Sequence, residues 1–168
     1  MKKKKVENNE VQDLITKYNR LCLILPTYKT IPTFSYLRMI TFLTQLFRLK
    51  FEVSVLLLDQ TNVCVARNKL AGYANDIAES EDIDLFLWID SDHDFNLKNF
   101  MQMLFNYDKN DIVEILSARY ITRDNESPRI CAYIKKEDNK YTSIHPNSNS
   151  INEVDGIGFG FVMMSPKV

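Results

Sequence analysis

Short unbroken apolar runs alternate along the chain with longer segments in which apolar residues recur every three or four positions. The first run, Leu21-Cys22-Leu23-Ile24-Leu25, is stopped by Pro26. An apolar stretch of that length with a breaker behind it reads as a strand buried on both faces. Residues 34–49 then place Leu37, Ile40, Phe42, Leu43, Leu46, Phe47 and Leu49 at helical spacing, which predicts a helix with a broad apolar face. A second strand is predicted over 53–58, ending at Asp59, and Asn62 is placed to cap a helix over about 63–78. The third strand, Leu85-Phe86-Leu87-Trp88-Ile89, runs straight into Asp90. A helix over 97–105 and a strand over 112–116 complete a β-α-β-α-β-α-β series.

The rhythm changes after that. Residues 130–134, 141–144 and 159–164 read as shorter strands with no helix between them, and 135–152 is polar. Strands that alternate with helices argue for a parallel sheet covered on both faces. The expectation is therefore an α/β, Rossmann-like three-layer domain over 21–168, with a mainly parallel central sheet and a short antiparallel addition near the C-terminus. Residues 1–20 are polar, begin with the basic run of Met1 to Lys5, and read as a leader.

Composition narrows the classes. The 168 residues suit one domain with a single core, and four Gly and five Pro leave little room for long flexible linkers. A net charge of -1 offers no global attraction to nucleic acid or to an anionic membrane. No apolar stretch is long enough for a membrane span. Cys22, Cys64 and Cys131 lie far apart with no CxxC spacing, which points to neither zinc nor a disulfide framework. A reducing, cytoplasmic location fits (the host cytoplasm for a viral protein).

Candidate chemistry gathers at the strand ends. In open α/β sheets ligands bind outside the carboxyl ends of the strands. Here those ends carry Pro26-Thr27, Asp59 and Asp90-Ser91-Asp92. Two carboxylates two residues apart after a core strand can collect Mg2+ or Mn2+, which take oxygen ligands and keep positions open for phosphate. Such a cation neutralises a diphosphate as charge grows on it. Asp and Ser also favour plain turns, but the strand-end placement is what a site needs. Asp90, Asp92 and Asp94 begin like a calcium loop, yet Phe95 and Met101 stand where Gly and Glu are required. An aspartate-dependent phosphatase stays open as a minor alternative, although its motif ordinarily ends the first strand.

Gly156-Ile157-Gly158-Phe159-Gly160 lacks the following helix of a dinucleotide loop, so these glycines fit close backbone approach or a bent edge strand instead. Arg67 and Asn68 lie on the first turns of the helix after Asp59, a place suited to phosphate and equally to an exposed Arg. His93 reads as a polar neighbour of the acidic loop, His145 as a loop residue and Trp88 as core.

Taken in order, Leu23-Ile24-Leu25-Pro26-Thr27-Tyr28, Val65-Ala66-Arg67-Asn68-Lys69-Leu70-Ala71 and Leu87-Trp88-Ile89-Asp90-Ser91-Asp92 resemble family 2-like glycosyltransferases of the A-type fold. Asp111-Ile112-Val113, Ala118-Arg119-Tyr120 and Val154-Asp155-Gly156-Ile157-Gly158-Phe159-Gly160-Phe161 continue the series. The resemblance covers roughly 21–168 and implies transfer of a sugar from a nucleotide-diphosphate donor to a glycan or other hydroxyl acceptor. It implies nucleobase contacts at Pro26, Thr27 and Tyr28, and a nucleoside contact at Asp59. It puts Arg67 and Asn68 near the donor, Asp90 at the ribose and metal, and Asp92 on Mn2+ or Mg2+. Family members continue past the Gly-Phe-Gly-Phe strand into an acidic pair that supplies the base. This sequence ends at Val168 and Asp155 is too early to match, so a domain lacking the usual acceptor and base segment is expected, with the catalytic residue unassigned. Two readings follow: an active transferase, or a domain that binds nucleotide sugar without turning it over.

Overall fold

The computed structural model describes residues 2–27, 30–59, 62–110, 113–120, 129–144 and 151–167; Tyr28, Asp111, Ile112 and His145 lie outside them. The chain runs α1 (Lys2–Lys17), β1 (Arg20–Thr27), α2 (Thr33–Arg48), β2 (Glu52–Asp59), α3 (Val63–Glu81), β3 (Leu85–Ile89), α4 (Leu97–Asp108) and β4 (Ile115–Ser117). Then follow β5 (Ala132–Lys135), β6 (Tyr141–Ser143), β7 (Gly156–Ile157) and β8 (Phe161–Met164).

The central sheet has the order β2-β1-β3-β8-β4. Successive side chains of a strand point to opposite faces, so the apolar runs of β1 and β3 feed two cores. Leu21, Leu23, Leu25, Leu85, Leu87 and Ile89 meet Leu14 and Ile15 of α1, Phe42 and Leu46 of α2, and Phe100 and Leu104 of α4. On the other face, Cys22, Ile24, Phe86 and Trp88 meet Leu70 and Ala74 of α3. The stretch read as a leader is thus largely a helix seated on the core, and its last turn is tied to α4 by the Lys17–Asp108 ion pair at 2.6 Å. Asn62 caps α3, its side chain accepting from the backbone N–H of Cys64 and Val65.

The expected mainly parallel, Rossmann-like sheet is not what forms. β1 pairs in parallel with β2 and β3, but β8 lies antiparallel between β3 and β4. Two of the four pairings are therefore antiparallel, and the sheet is mixed. β8 is entered from the small sheet through residues 158–160, at the edge where β3 ends beside Asp90, so it runs back along β3 rather than beside it in parallel. The antiparallel addition near the C-terminus also differs from expectation: β5, β6 and β7 form a separate three-stranded sheet in the order β6-β5-β7, and only β8 joins the central one. β2 is an edge strand with Val55 and Leu57 exposed. Among the described residues, no helix is long and apolar enough to cross a membrane.

Candidate functional site at the carboxyl edge

The parallel pairing of β1, β2 and β3 brings their carboxyl ends to one edge. Thr27 lies opposite Asp59, and Ile24 opposite Trp88, which sets Pro26 level with Asp90. With β1 between β2 and β3, the Asp59 and Asp90 backbones stand about 10 Å apart, two inter-strand spacings. Pro26 and Thr27 are buried there. The Thr27 hydroxyl donates to the Leu58 carbonyl at 3.1 Å, so its proton is used in locking β1 to β2. Asp59 is exposed at the rim.

Asp90 is held through both its backbone and its side chain. Its N–H donates to the Gly160 carbonyl at 2.9 Å, and its carbonyl accepts from the His93 N–H at 3.0 Å, closing the turn that displays Asp92 to solvent. The Arg67 guanidinium reaches over from α3, and Nη2 donates to both Asp90 carboxylate oxygens at 2.8 and 3.0 Å. Both side chains remain 28% exposed, so solvent and solutes reach the pair. Asn68, the next residue on α3, is exposed and points about 100° away around the helix.

Beneath Arg67 lies an aromatic floor that sequence reasoning missed. The guanidinium sits 5.5 Å from the Phe159 ring centre, and Phe159 meets Trp88 edge-on at 5.1 Å. Arg67 Nε and Trp88 Nε1 are both buried without a hydrogen-bond partner. On the other side of Gly160, the Tyr120 hydroxyl accepts from the Gly160 N–H at 2.9 Å, and burial pushes its pKa above the usual tyrosine range. Tyr120 meets His93 edge-on at 4.8 Å, and His93 stacks on Phe161. The spaced glycines were the available signal. A Cβ on Gly158 would overlap the Tyr120 hydroxyl, and one on Gly160 would come 3.1 Å from His93 Nδ1. Arg38 of α2, which packs on Phe34, adds an ion pair to Asp94 at the end of the acidic loop.

Asp90 and Asp92 offer the hard oxygen donors that Mn2+ or Mg2+ prefer. The Asp90 carboxylate already holds one cationic group, the Arg67 guanidinium. Among the described residues, no group of three or more His, Cys, Asp or Glu side chains could hold a metal ion. The residues thus fit a metal only as a two-carboxylate site whose other ligands come from a bound phosphate and water. A separate cleft of about 430 Å³ opens at the amino edge, lined in part by Asp82, Asp84 and Asp108. Its acids are engaged by the Arg20 side chain and backbone N–H and by Lys17. Concavity alone therefore does not mark a site.

No family model matches the chain, and no curated protein matches it. Among solved structures it is similar to one described as the crystal structure of A197 from STIV, at 15% sequence identity and a TM-score of 0.49. The match covers 88% of this chain and 65% of that one, and a likeness of this level carries no argument about either fold or activity.

Proposed function

We propose that the chain is the nucleotide-sugar-binding part of a metal-dependent glycosyltransferase that moves a sugar from a nucleotide-diphosphate donor to an acceptor hydroxyl. The observation that carries the reading is the gathering of Thr27, Asp59, Asp90 and Arg67 at one sheet edge, with Asp92 on the adjoining turn. The span of about 10 Å from Asp59 to Asp90 suits a nucleoside laid across β1 with its diphosphate toward Arg67. In this reading Asp92 binds Mn2+ or Mg2+, and Asp90 assists from the ribose side.

These cations want about six oxygen ligands, so two carboxylates make an incomplete shell without donor phosphate. Metal and donor should therefore bind cooperatively. Asp92→Asn keeps the shape and removes a charge at an exposed turn. Calorimetry with a panel of nucleoside diphosphates, in manganese and then in chelator, tests the reading. The expected result is metal-dependent binding that Asp92→Asn weakens at least about tenfold. Equal affinity under both conditions, or an Asp92→Asn protein that binds like the parent, would sink it.

Binding without turnover is the second reading. One observation favours it: Arg67 and Asp90, the groups assigned to phosphate and metal, neutralise one another. Labelled nucleotide sugar offered with acceptor mixtures separates the two, since transfer or metal-dependent donor hydrolysis requires an enzyme.

A further inference from the structure

We infer that Arg67 is an internal cation that competes with the divalent metal for Asp90, so that diphosphate admits the metal by drawing Arg67 off the carboxylate. The inference deepens the proposed function and rests on it for the identity of the diphosphate carrier. A single nitrogen, Nη2, contacts both oxygens of Asp90 at 2.8 and 3.0 Å. A metal held by the Asp90 carboxylate would meet the guanidinium there. The Asp90 end is fixed, because its backbone is held by Gly160 and His93. The Arg67 end is held more weakly. Nε is buried with no hydrogen-bond partner, and Phe159 supplies an aromatic face in place of hydrogen-bond acceptors. The exposed part of the guanidinium can turn to a phosphate, whose oxygens accept charge-assisted N–H bonds from an Arg. The ion pair is also partly exposed, so water screens it and an incoming phosphate can displace it.

This arrangement makes a distinct claim about sign. If Arg67 merely braces Asp90, its loss weakens metal binding. If it competes, its loss strengthens metal binding and also reduces the help that diphosphate gives. The test uses Mn2+ alone, followed by the loss of the free-ion paramagnetic resonance signal, and then Mn2+ with inorganic pyrophosphate, read as protein-bound Mn2+ by equilibrium dialysis because pyrophosphate chelates free Mn2+ by itself. Arg67→Gln should bind Mn2+ alone about fivefold more tightly than the parent, the scale of a modest, partly exposed ion pair. Arg67→Lys keeps a cation near Asp90 and should stay within about twofold of the parent. Asp90→Asn should abolish the gain when combined with Arg67→Gln. Pyrophosphate should raise Mn2+ affinity more in the parent than in Arg67→Gln.

Unchanged or weaker Mn2+ binding by Arg67→Gln, with its thermal unfolding like the parent's, would overturn the competition. An equal pyrophosphate effect in both proteins would overturn it as well. Should Arg67→Gln fail to fold, the parent is titrated with Mg2+ while the Arg67 Nε–H resonance is followed: a shift that Asp90→Asn removes supports competition, and a static resonance refutes it. The nucleotide-sugar reading fails separately, if nucleoside diphosphates bind no better than pyrophosphate while the competition persists.

Discussion

Gly158→Ala adds one methyl group at the most crowded point of the site, and its cost can be worked out from the contacts. Gly158 does not have a positive φ, so an alanine there meets no backbone penalty and the cost is one of space. The new Cβ would overlap the Tyr120 hydroxyl, lie 2.7 Å from Tyr120 Cζ and lie 2.8 Å from Cys131 Cβ. Real Cβ atoms do not tolerate such approaches, so Tyr120 must move. Yet its hydroxyl accepts the Gly160 N–H, and its ring packs on His93. Overpacking of this kind costs about 1–3 kcal/mol, and the lost hydrogen bond about 1 kcal/mol. Against that, Ala restricts the unfolded chain and returns about 0.4–1 kcal/mol. The net expectation is roughly 1–3.5 kcal/mol of destabilisation, or a melting point lower by about 2–14 °C for a chain of this size.

Urea unfolding with a double-mutant cycle is the measurement. Tyr120→Ala removes the obstructing ring, so Gly158→Ala should cost at least about 1 kcal/mol less in that background. Gly160→Ala provides a graded comparison. Its nearest contacts are 3.1 Å to His93 Nδ1 and 3.2 Å to Tyr120 Cζ, so the neighbours must yield only slightly and the loss should be smaller. A Gly158→Ala protein within about 0.5 kcal/mol of the parent, or a cycle with no coupling, would refute the packing of Tyr120 over the glycine segment.

Two further expectations concern the core and a helix cap. Burial pushes the Cys22 thiol up to about 12, with a smaller push from Glu81, whereas Cys64 is exposed. A thiol reagent should therefore label Cys64 in the folded protein and reach Cys22 only on unfolding. Because Cys22 stays protonated when folded and ionises near 9 when unfolded, its contribution is full below about pH 9 and is lost as pH rises toward about 12. Parent stability should fall across that window by up to about 1.4 kcal/mol per pH unit more than that of Cys22→Ala; parallel curves would contradict the shift. Asn62→Ala removes the acceptor of the Cys64 and Val65 N–H groups and should cost about 1 kcal/mol in thermal unfolding, with a neutral result arguing against the cap.

What the sequence discloses here depends on how local the cause is. The apolar runs of β1 and β3 announce strands because each is buried on both faces, and Asn62 announces a helix start because its side chain satisfies nearby N–H groups. The pattern of β2 is nearly as apolar, yet Val55 and Leu57 are exposed, since an edge position depends on what the rest of the chain leaves uncovered. The same holds for α2. Phe42 and Leu46 of its broad apolar face are buried, while Leu37, Ile40 and Phe47 stay exposed. Direction of pairing is less legible still. Phe161-Val162-Met163-Met164 reads as a strand, but nothing in four apolar residues says which way it enters the sheet. The placement of Asp59, Asp90 and Arg67 at one edge is legible because strand ends and helix starts are local features; Phe159 reaches Arg67, and Tyr120 reaches Gly160, only through long-range packing.

The mixed sheet and the site are connected, and the feature that overturns the expected fold is the one that builds the floor of the site. Because β8 runs antiparallel to β3, its beginning rather than its end reaches the carboxyl edge, and Phe161 lies opposite Ile89. The segment just before β8 is thereby delivered onto Asp90. Gly160 meets the Asp90 N–H with its carbonyl, Phe159 passes beneath Arg67, and Phe161 stacks against His93. Had β8 run parallel at that position, the same edge would carry Ser165 and Pro166, and the glycine segment would lie at the far side of the sheet. Gly158 and Gly160 belong to that geometry, since a Cβ on either would press on Tyr120, and on Gly160 also on His93. The Gly-Ile-Gly-Phe-Gly run is thus placed not to cradle a phosphate at a helix start but to let an antiparallel strand enter beside an acidic turn. The carboxyl edge gains fixed backbone donors and acceptors there, and these hold Asp90 in place, while Arg67 has the Asp90 carboxylate on one side and the Phe159 ring beneath it.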